Sequence, residues 1–442
     1  MKTYVVVGTG GRAPMFIDPI ARDYRDSARL LALCDPSATR MEYHRERLQR
    51  EYGALGIRCY ASEDFDCMLD ELRPDFVIVC TVDAFHARYI LRSIEKGCDV
   101  ICEKPITTDA AQCRSLLESV KANGPQVRVT LNMRWMPGLS AAKKLIASRA
   151  IGDVKHVHLE YLLDTSHGAD YFRRWHSEKA SSGGLLVHKS THHFDVVNWL
   201  IDGIPESVYA AGSLVFYGKE NAIRRGDDEF TRYERYADAP TQTDPFHLDI
   251  RGDEAMKRLY WEAEAETGYV RDRNVFREKI DIEDSMSVVV KYRGGAMLSY
   301  SLNAFGPYEG YRVHISGDRG RLEYEERLPS HIIRGGGDAL ALSSETKSWR
   351  KLMHLPLFEP PREIPIEELS GSHGGGDRLL QEQLFSAHPP PDSLNRTAGH
   401  EQAIASAIIG IAANESIATG LPVNINERVD FPSHKQRLSQ LR

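Results

Sequence analysis

Three short tracts carry residue types from which redox chemistry on a nucleotide cofactor could be built. The first, Gly8-Thr9-Gly10-Gly11-Arg12-Ala13, follows the β-branched run Tyr4-Val5-Val6-Val7. In such a G-x-G-x-x-A loop the first glycine permits a tight turn, the second lets backbone approach a pyrophosphate, and the small third residue packs helix on strand. The helix N-terminus behind the loop favours the phosphate charge. Asp35 ends the next apolar run, Leu30–Cys34, where its carboxylate would accept hydrogen bonds from ribose hydroxyls and repel a 2′-phosphate. NAD rather than NADP is therefore the expected cofactor, although Arg40 nearby argues the other way. The bare motif is weak in a chain with 34 glycines, and its context of strand, turn, helix and Asp35 supplies the meaning.

The second tract is Glu103-Lys104-Pro105, after the apolar run Asp99–Cys102, at the strand end where doubly wound sheets bind ligands. A lysine held there beside a nicotinamide has its pKa lowered by positive charge and desolvation toward a useful acid/base range. The plain alternative is a surface lysine beside a turn proline. The third tract, Ser182-Gly183-Gly184 through Asp195, aligns His188, His192 and Asp195 on one helical face at i, i+4 and i+7. That row reads as a catalytic polar cluster, with satisfied core histidines as the alternative. No HExxH or comparable ligand set accompanies it, so no metal is expected.

Parallel-sheet patterning must position these groups. Apolar runs at 4–7, 30–34, 75–80, 99–102 and 127–131 alternate with single helices, which predicts a Rossmann domain with both sheet faces covered over 1–131. Beyond Asn132 the period changes to two at 154–163, 207–216, 285–292, 296–303 and 311–315. The second domain, 132–396, is therefore expected to be α+β around an open mixed or antiparallel sheet. Charged residues at about 217–280 and an irregular stretch at about 330–392 are read as insertions, and 397–442 as a closing helix and tail. Within the second insertion, His373-Gly374-Gly375-Gly376-Asp377 has the composition of a lid.

Composition removes other classes. Hydrophobic residues at 42% and charged residues at 27% suit a folded globular protein. A net charge of −7 offers no basic surface for nucleic acid or an anionic membrane, so a small molecule is the expected partner. The N-terminal apolar run is too short for a signal sequence, and no run of ~18 apolar residues reads as a membrane span. All seven cysteines fall within the first 113 residues without a CxxC, and read as buried, reduced thiols of a cytoplasmic protein.

Taken together, the glycine loop, Glu103-Lys104-Pro105 and the Gly-Gly…His-x-x-x-His-x-x-Asp tract resemble the glucose–fructose oxidoreductase, inositol dehydrogenase and MocA family. The likeness extends over nearly the whole chain, through Cys80-Thr81-Val82-Asp83-Ala84-Phe85-His86, Asn132-Met133-Arg134-Trp135-Met136-Pro137, Ile151-Gly152-Asp153-Val154, the Gly317–Glu323 turn and the closing 411–416 helix. The resemblance implies NAD bound by Gly8, Gly10, Gly11, Arg12, Ala13, Asp35, Thr81, Asp83, His86, Glu103, Lys104 and Asn132. It implies Lys104 and His192 facing the carbon that exchanges hydride with the nicotinamide. One departure is that many members have Asp four residues before that histidine, where this chain has His188, followed by Lys189. Imidazole can move a proton or bind a hydroxyl but cannot act as a fixed anion.

Substrate contact is expected from Arg134, Lys189, His193 and the segment His167–His176, where His167, Tyr171, Arg173 and Trp175 offer hydrogen bonds and flat apolar faces suited to a sugar ring. The reading that follows is an NAD(H)-dependent dehydrogenase of a sugar, glycoside or cyclitol, assembled as a homodimer or homotetramer through the apolar outer face of its sheet. Two alternatives stay open: an NAD-dependent glycoside hydrolase or lyase working by transient oxidation, and a non-catalytic dinucleotide-binding sensor or scaffold.

Overall fold

The computed structural model describes residues 1–121, 123–240, 243–328, 332–333, 341–342, 348–369 and 372–441. Strands β1 (Lys2–Val7), β2 (Ala28–Cys34), β3 (Arg58–Tyr60), β4 (Phe76–Val79), β5 (Asp99–Cys102) and β6 (Val127–Val129) form a parallel sheet in the order β6-β5-β4-β1-β2-β3. The apolar runs became strands because helices cover both faces: Val5, Val6, Val77 and Ile78 are all fully buried. The edge strand β3 is only three residues, Arg-Cys-Tyr, with no apolar run to announce it. The order reverses direction at β1/β4, and the ends of β1, β4 and β5 therefore surround one crevice.

The second sheet has nine strands among the described residues. From β7 (Val154–Asp164), β8 (Pro205–Ser213), β9 (Ser285–Tyr292), β10 (Met297–Gly306), β11 (Gly310–Gly317) and β12 (Gly320–Arg327), only the β7–β10 pair is parallel. A short ladder joins β13 (Ile332–Ile333) to β14 (Ala341–Leu342), and β15 (Trp349–Pro356) and β16 (Arg362–Glu363) extend the main sheet beyond β12. The stretch expected to be irregular thus holds, among the described residues, two strands of the main sheet, the β13–β14 ladder and a helix, Gly376–Phe385. Finally β17 (Ala398–Gly399) pairs antiparallel with β6, and β18 (Val423–Asn424) with β8, so the chain's last segment joins both sheets.

Alternation decides which face of this sheet is buried. Val157, Leu159, Leu298, Tyr300, Val313 and Ile315 point to the helices Ser190–Ile201 and His400–Thr419. The opposite face is mixed rather than apolar: His156, His158, Glu160, Arg312 and Glu325 share it with Tyr209, Val289 and Met297. Two cysteines also depart from the expectation of burial, since Cys59 and Cys67 are exposed. The lid assignment fails for its described part. Gly375 and Gly376 are buried, a Cβ on Gly376 would stand 3.3 Å from backbone of 132–136, and Asp377 accepts a hydrogen bond from Asn132 at 2.7 Å.

Three site residues prove to be core. Arg134, with no exposed surface, gives Nε and Nη2 to Asp195 at 2.7 and 2.6 Å and Nη1 to Gln402 at 2.7 Å. Its guanidinium is spent on the packing of three helical segments and does not reach a substrate, and Asp195 is likewise removed from the histidine row. His193 is fully buried, bonded to Tyr300 at 2.8 Å and stacked on Tyr161 at 4.2 Å. Arg173 is buried over Tyr236 and donates to the Phe246 carbonyl at 3.0 Å. Removing one partner of a buried ion pair leaves the other charge uncompensated. Asp195→Ala is therefore expected to lower unfolding free energy by about 3–5 kcal/mol, measured by urea denaturation. A loss below about 1 kcal/mol would contradict a structural role for Arg134.

Candidate active site

Position 8 of the glycine loop needs glycine. Gly8 sits at φ 90°, and a Cβ there would lie 2.5 Å from the Cys80 carbonyl oxygen, because β1 and β4 run side by side into the crevice. Asp35, 3% exposed, accepts from Thr9 N at 2.6 Å and Ser37 N at 2.9 Å, which fixes the loop against the end of β2. Ala13 is fully buried beneath the helix Pro14–Ala21. Arg12 reaches across to Glu103, Nε to Oε1 at 2.7 Å, joining the glycine loop to the Glu-Lys-Pro turn. The Thr9 hydroxyl is buried with no partner among the described residues, an acceptor or donor left over on the loop that would face a phosphate. These groups fit NAD. One donor is already engaged, since Gly11 N–H donates to Tyr260 Oη at 2.8 Å.

His86 holds the crevice together instead of touching a cofactor. Its Nδ1 lies 2.7 Å from the Pro105 carbonyl and Nε2 3.0 Å from the Thr81 carbonyl, so both ring nitrogens are taken by backbone. Burial pulls its pKa down, and the neutral ring donates to one carbonyl at a time. The Lys104–Pro105 peptide between these turns is cis.

Lys104 and His188 meet across the domain boundary. Lys104 Nζ lies 3.1 Å from His188 Nε2 and 3.0 Å from the His188 carbonyl oxygen. Since the lysine donates, Nε2 accepts, and the ring proton is on Nδ1, 2.5 Å from Asp83 Oδ2. Burial and the nearby Lys104 charge hold His188 well below the ordinary histidine range, which keeps the ring neutral. Burial likewise pulls Lys104 down to about 8, against the opposing pull of Asp83 and Glu103. Asp83, expected at the cofactor, is thus 3% exposed behind His188, where burial pushes its carboxyl well above the ordinary range against the opposing charges of Lys104 and Arg174.

Local packing explains why His188 stands there. It ends the short helix Leu185–His188, whose Leu186 carbonyl abuts Gly410 of the long closing helix so closely that any Cβ would collide. The ring is then walled by His176 at 4.1 Å, Tyr171 at 5.5 Å and Trp175 at 5.7 Å. His192, one turn on, is buried in the first turn of the helix Ser190–Ile201. Lys189 lies over the Tyr161 ring at 4.8 Å.

A second polar group sits beyond Tyr171. His167 Nε2 is 3.0 Å from the Tyr171 hydroxyl, and Nδ1 is 2.8 Å from Glu309, which also accepts from Tyr161 at 2.8 Å. Burial opposes the Glu309 carboxylate, but hydrogen bonds from His167 and Tyr161 and the charge of Lys189 outweigh it and hold the group at about 2. Nearby, Asp170 pairs with Arg174 at 3.1 Å and Arg271 at 2.7 Å. Sequence reasoning named His167, Tyr171 and Trp175 and included Arg174 in the same segment, but missed Glu309 and Arg271. Glu309 lies in a tight turn 142 residues from its partner His167, with no motif around it.

A methyl group at position 8 would both force an unfavourable φ and strike the Cys80 carbonyl. Gly8→Ala is expected to weaken dinucleotide binding by more than about tenfold in calorimetric titration, and affinity equal to wild type would contradict this placement of the loop.

Among the described residues no helix is long and apolar enough to cross a membrane. Residues 2–131 match the family description "Oxidoreductase family, NAD-binding Rossmann fold", and residues 143–425 match "Oxidoreductase family, C-terminal alpha/beta domain". YteT of Bacillus subtilis (strain 168), an oxidoreductase by name, is 35% identical over 97% of this chain and 98% of its own. An inositol 2-dehydrogenase of Gluconacetobacter diazotrophicus is 30% identical over 48% of this chain and 56% of its own length. The structure of an aldose-aldose oxidoreductase from Caulobacter crescentus, complexed with glycerol, superposes with a TM-score of 0.60 at 18% identity, over 96% of this chain and 99% of that one. The glycine loop, the lysine–histidine contact between domains and the two matched regions lead to one assignment: the chain belongs to the Gfo/Idh/MocA family of NAD-binding oxidoreductases.

Proposed function

We propose that the protein oxidises a hydroxyl-bearing carbon of a sugar, glycoside or cyclitol, or reduces the corresponding carbonyl. The observation that carries this reading is the chain Asp83–His188–Lys104, with the lysine held at about 8. NAD, when bound, supplies the hydride acceptor at the nicotinamide ring. The neutral form of Lys104 takes the hydroxyl proton of the substrate as the carbonyl forms. His188, neutral and fixed by Asp83, accepts a hydrogen bond from the resulting ammonium and holds it in place. In the reducing direction the ammonium returns that proton. His192, one helical turn past His188, is assigned to orient the reacting hydroxyl.

Carbohydrate as the substrate class rests on the cleft wall. His167, Asp170, Arg174 and Trp175 offer donors, acceptors and a flat apolar face together, which matches the hydroxyl edges and C–H faces of a sugar ring. The inositol 2-dehydrogenase relative points the same way. The His167–Glu309 pair favours a second reading, because it is an acid/base unit separate from Lys104. In that reading a glycoside is oxidised, loses its aglycone by elimination, adds water and is reduced again, with no net change in the cofactor. The enzyme is placed in the cytoplasm, and pairing of two or four chains through the mixed face of the large sheet is part of the proposal. A single-chain mass in light scattering would remove the pairing.

Incubation with NAD and a panel of sugars, glycosides and cyclitols, followed near ~340 nm, is expected to show NADH formation with at least one of them. Lys104→Ala should lower turnover by about 10²-fold or more while NAD affinity changes less than about threefold. Unaltered turnover removes Lys104 from the mechanism, and aglycone release without net NADH selects the second reading.

A further inference from the structure

The insertion after β8 folds back over the first domain. Its segment 254–269 packs on the fifteen-residue helix Ala38–Tyr52, which begins just past Asp35. Arg40 Nε donates to the Leu259 carbonyl at 2.7 Å, and the guanidinium lies over Tyr260 at 5.5 Å and Tyr269 at 5.9 Å. The Glu266 carboxylate accepts from the Thr39 hydroxyl at 2.8 Å and from Thr39 N–H at 3.2 Å, and it also accepts from the Ser37 hydroxyl.

Those donors have a meaning in a dinucleotide site. If Asp35 holds the ribose hydroxyls, a phosphate on the 2′ oxygen would project to the start of the following helix. There N–H groups, the positive end of the helix and a nearby arginine ordinarily receive it. In this chain Ser37 and Thr39 are satisfied by a carboxylate, and Arg40 gives Nε to the Leu259 carbonyl and lays Nη1 3.8 Å from Asp35 Oδ1, with Nη2 left unpartnered among the described residues. The hydrogen bonds from Ser37 and Thr39 outweigh burial and keep Glu266 below the ordinary glutamate range, so it is ionised at neutral pH. A 2′-phosphate would meet two carboxylates and find the Ser37 and Thr39 donors occupied.

We propose that Glu266, contributed by the second domain's insertion, is a specificity-determining residue of the dinucleotide site: its carboxylate occupies the anion position beside Asp35 and excludes the 2′-phosphate of NADP. The inference rests on the cofactor reading above and adds a residue 231 positions from Asp35 to it. Glu266 is itself solvent-exposed and belongs to no buried apolar cluster.

Calorimetric titration of the full-length chain with NAD and NADP tests this. Wild type is expected to bind NAD at least about tenfold more tightly than NADP. In Glu266→Ala and Glu266→Gln, NADP affinity is expected to rise about tenfold, with NAD affinity within about threefold of wild type. A NAD:NADP ratio unchanged in both variants, or equal weakening of both dinucleotides, overturns the inference while leaving the cofactor reading in place. A wild type that binds neither dinucleotide overturns that reading and the inference with it.

Discussion

An ammonium group enclosed between two domains is the constraint around which this molecule is arranged. Lys104 stands at the end of β5, where the crevice of the parallel sheet opens, and its charge is poorly solvated there. Desolvation alone would push it to the neutral form, and Asp83 and Glu103 pull the other way. The balance leaves a group able to gain or lose a proton near neutral pH. His188 then joins the two domains, since its Nε2 accepts from Lys104 and its Nδ1 donates to Asp83. Both first-domain residues lie at strand ends, whereas the histidine is set by a helix packed against Gly410 of the closing helix. The buried Arg134–Asp195 pair anchors the next helix, Ser190–Ile201.

The presence of His188 where the family resemblance leads one to expect aspartate has a geometric answer. An imidazole cannot supply a fixed negative charge, but an acidic group behind it can fix its tautomer and orientation. Asp83 does so from the opposite domain. The chain of groups therefore keeps a carboxyl group in the hydrogen-bond network while placing it one residue further from Lys104.

The parallel sheet was legible because β1, β2, β4 and β5 each end in an apolar run, and the glycine loop because its turn admits few alternatives. Lys104 and His188 were legible as unusual residues, but their contact was not. It depends on how two domains meet, and no local period encodes that. Arg134 and His193 misled for a related reason: polar residues within a functional tract look alike in sequence whether they face a cleft or satisfy one another in the core, and only the positions of Asp195 and Tyr300 decide it. β12 and β15 were missed because both pair beside a long irregular stretch, with charged residues at every outward position of β12. The charged insertion hid its role in the same way, since Tyr260 and Glu266 acquire meaning only when laid against Gly11 and Ser37.

The central claim concerns the ionisation of Lys104 and the part Asp83 plays in it, and it can be measured without knowing the substrate. The rate at which an amine-reactive reagent labels Lys104, read by peptide mass at a series of pH values, reports the fraction of neutral amine. The account predicts a midpoint near 8 in the wild-type protein. In Asp83→Asn it predicts a lower midpoint, because the removed carboxylate favoured the charged form. A midpoint at the ordinary lysine value of 10.5 in both proteins would contradict it.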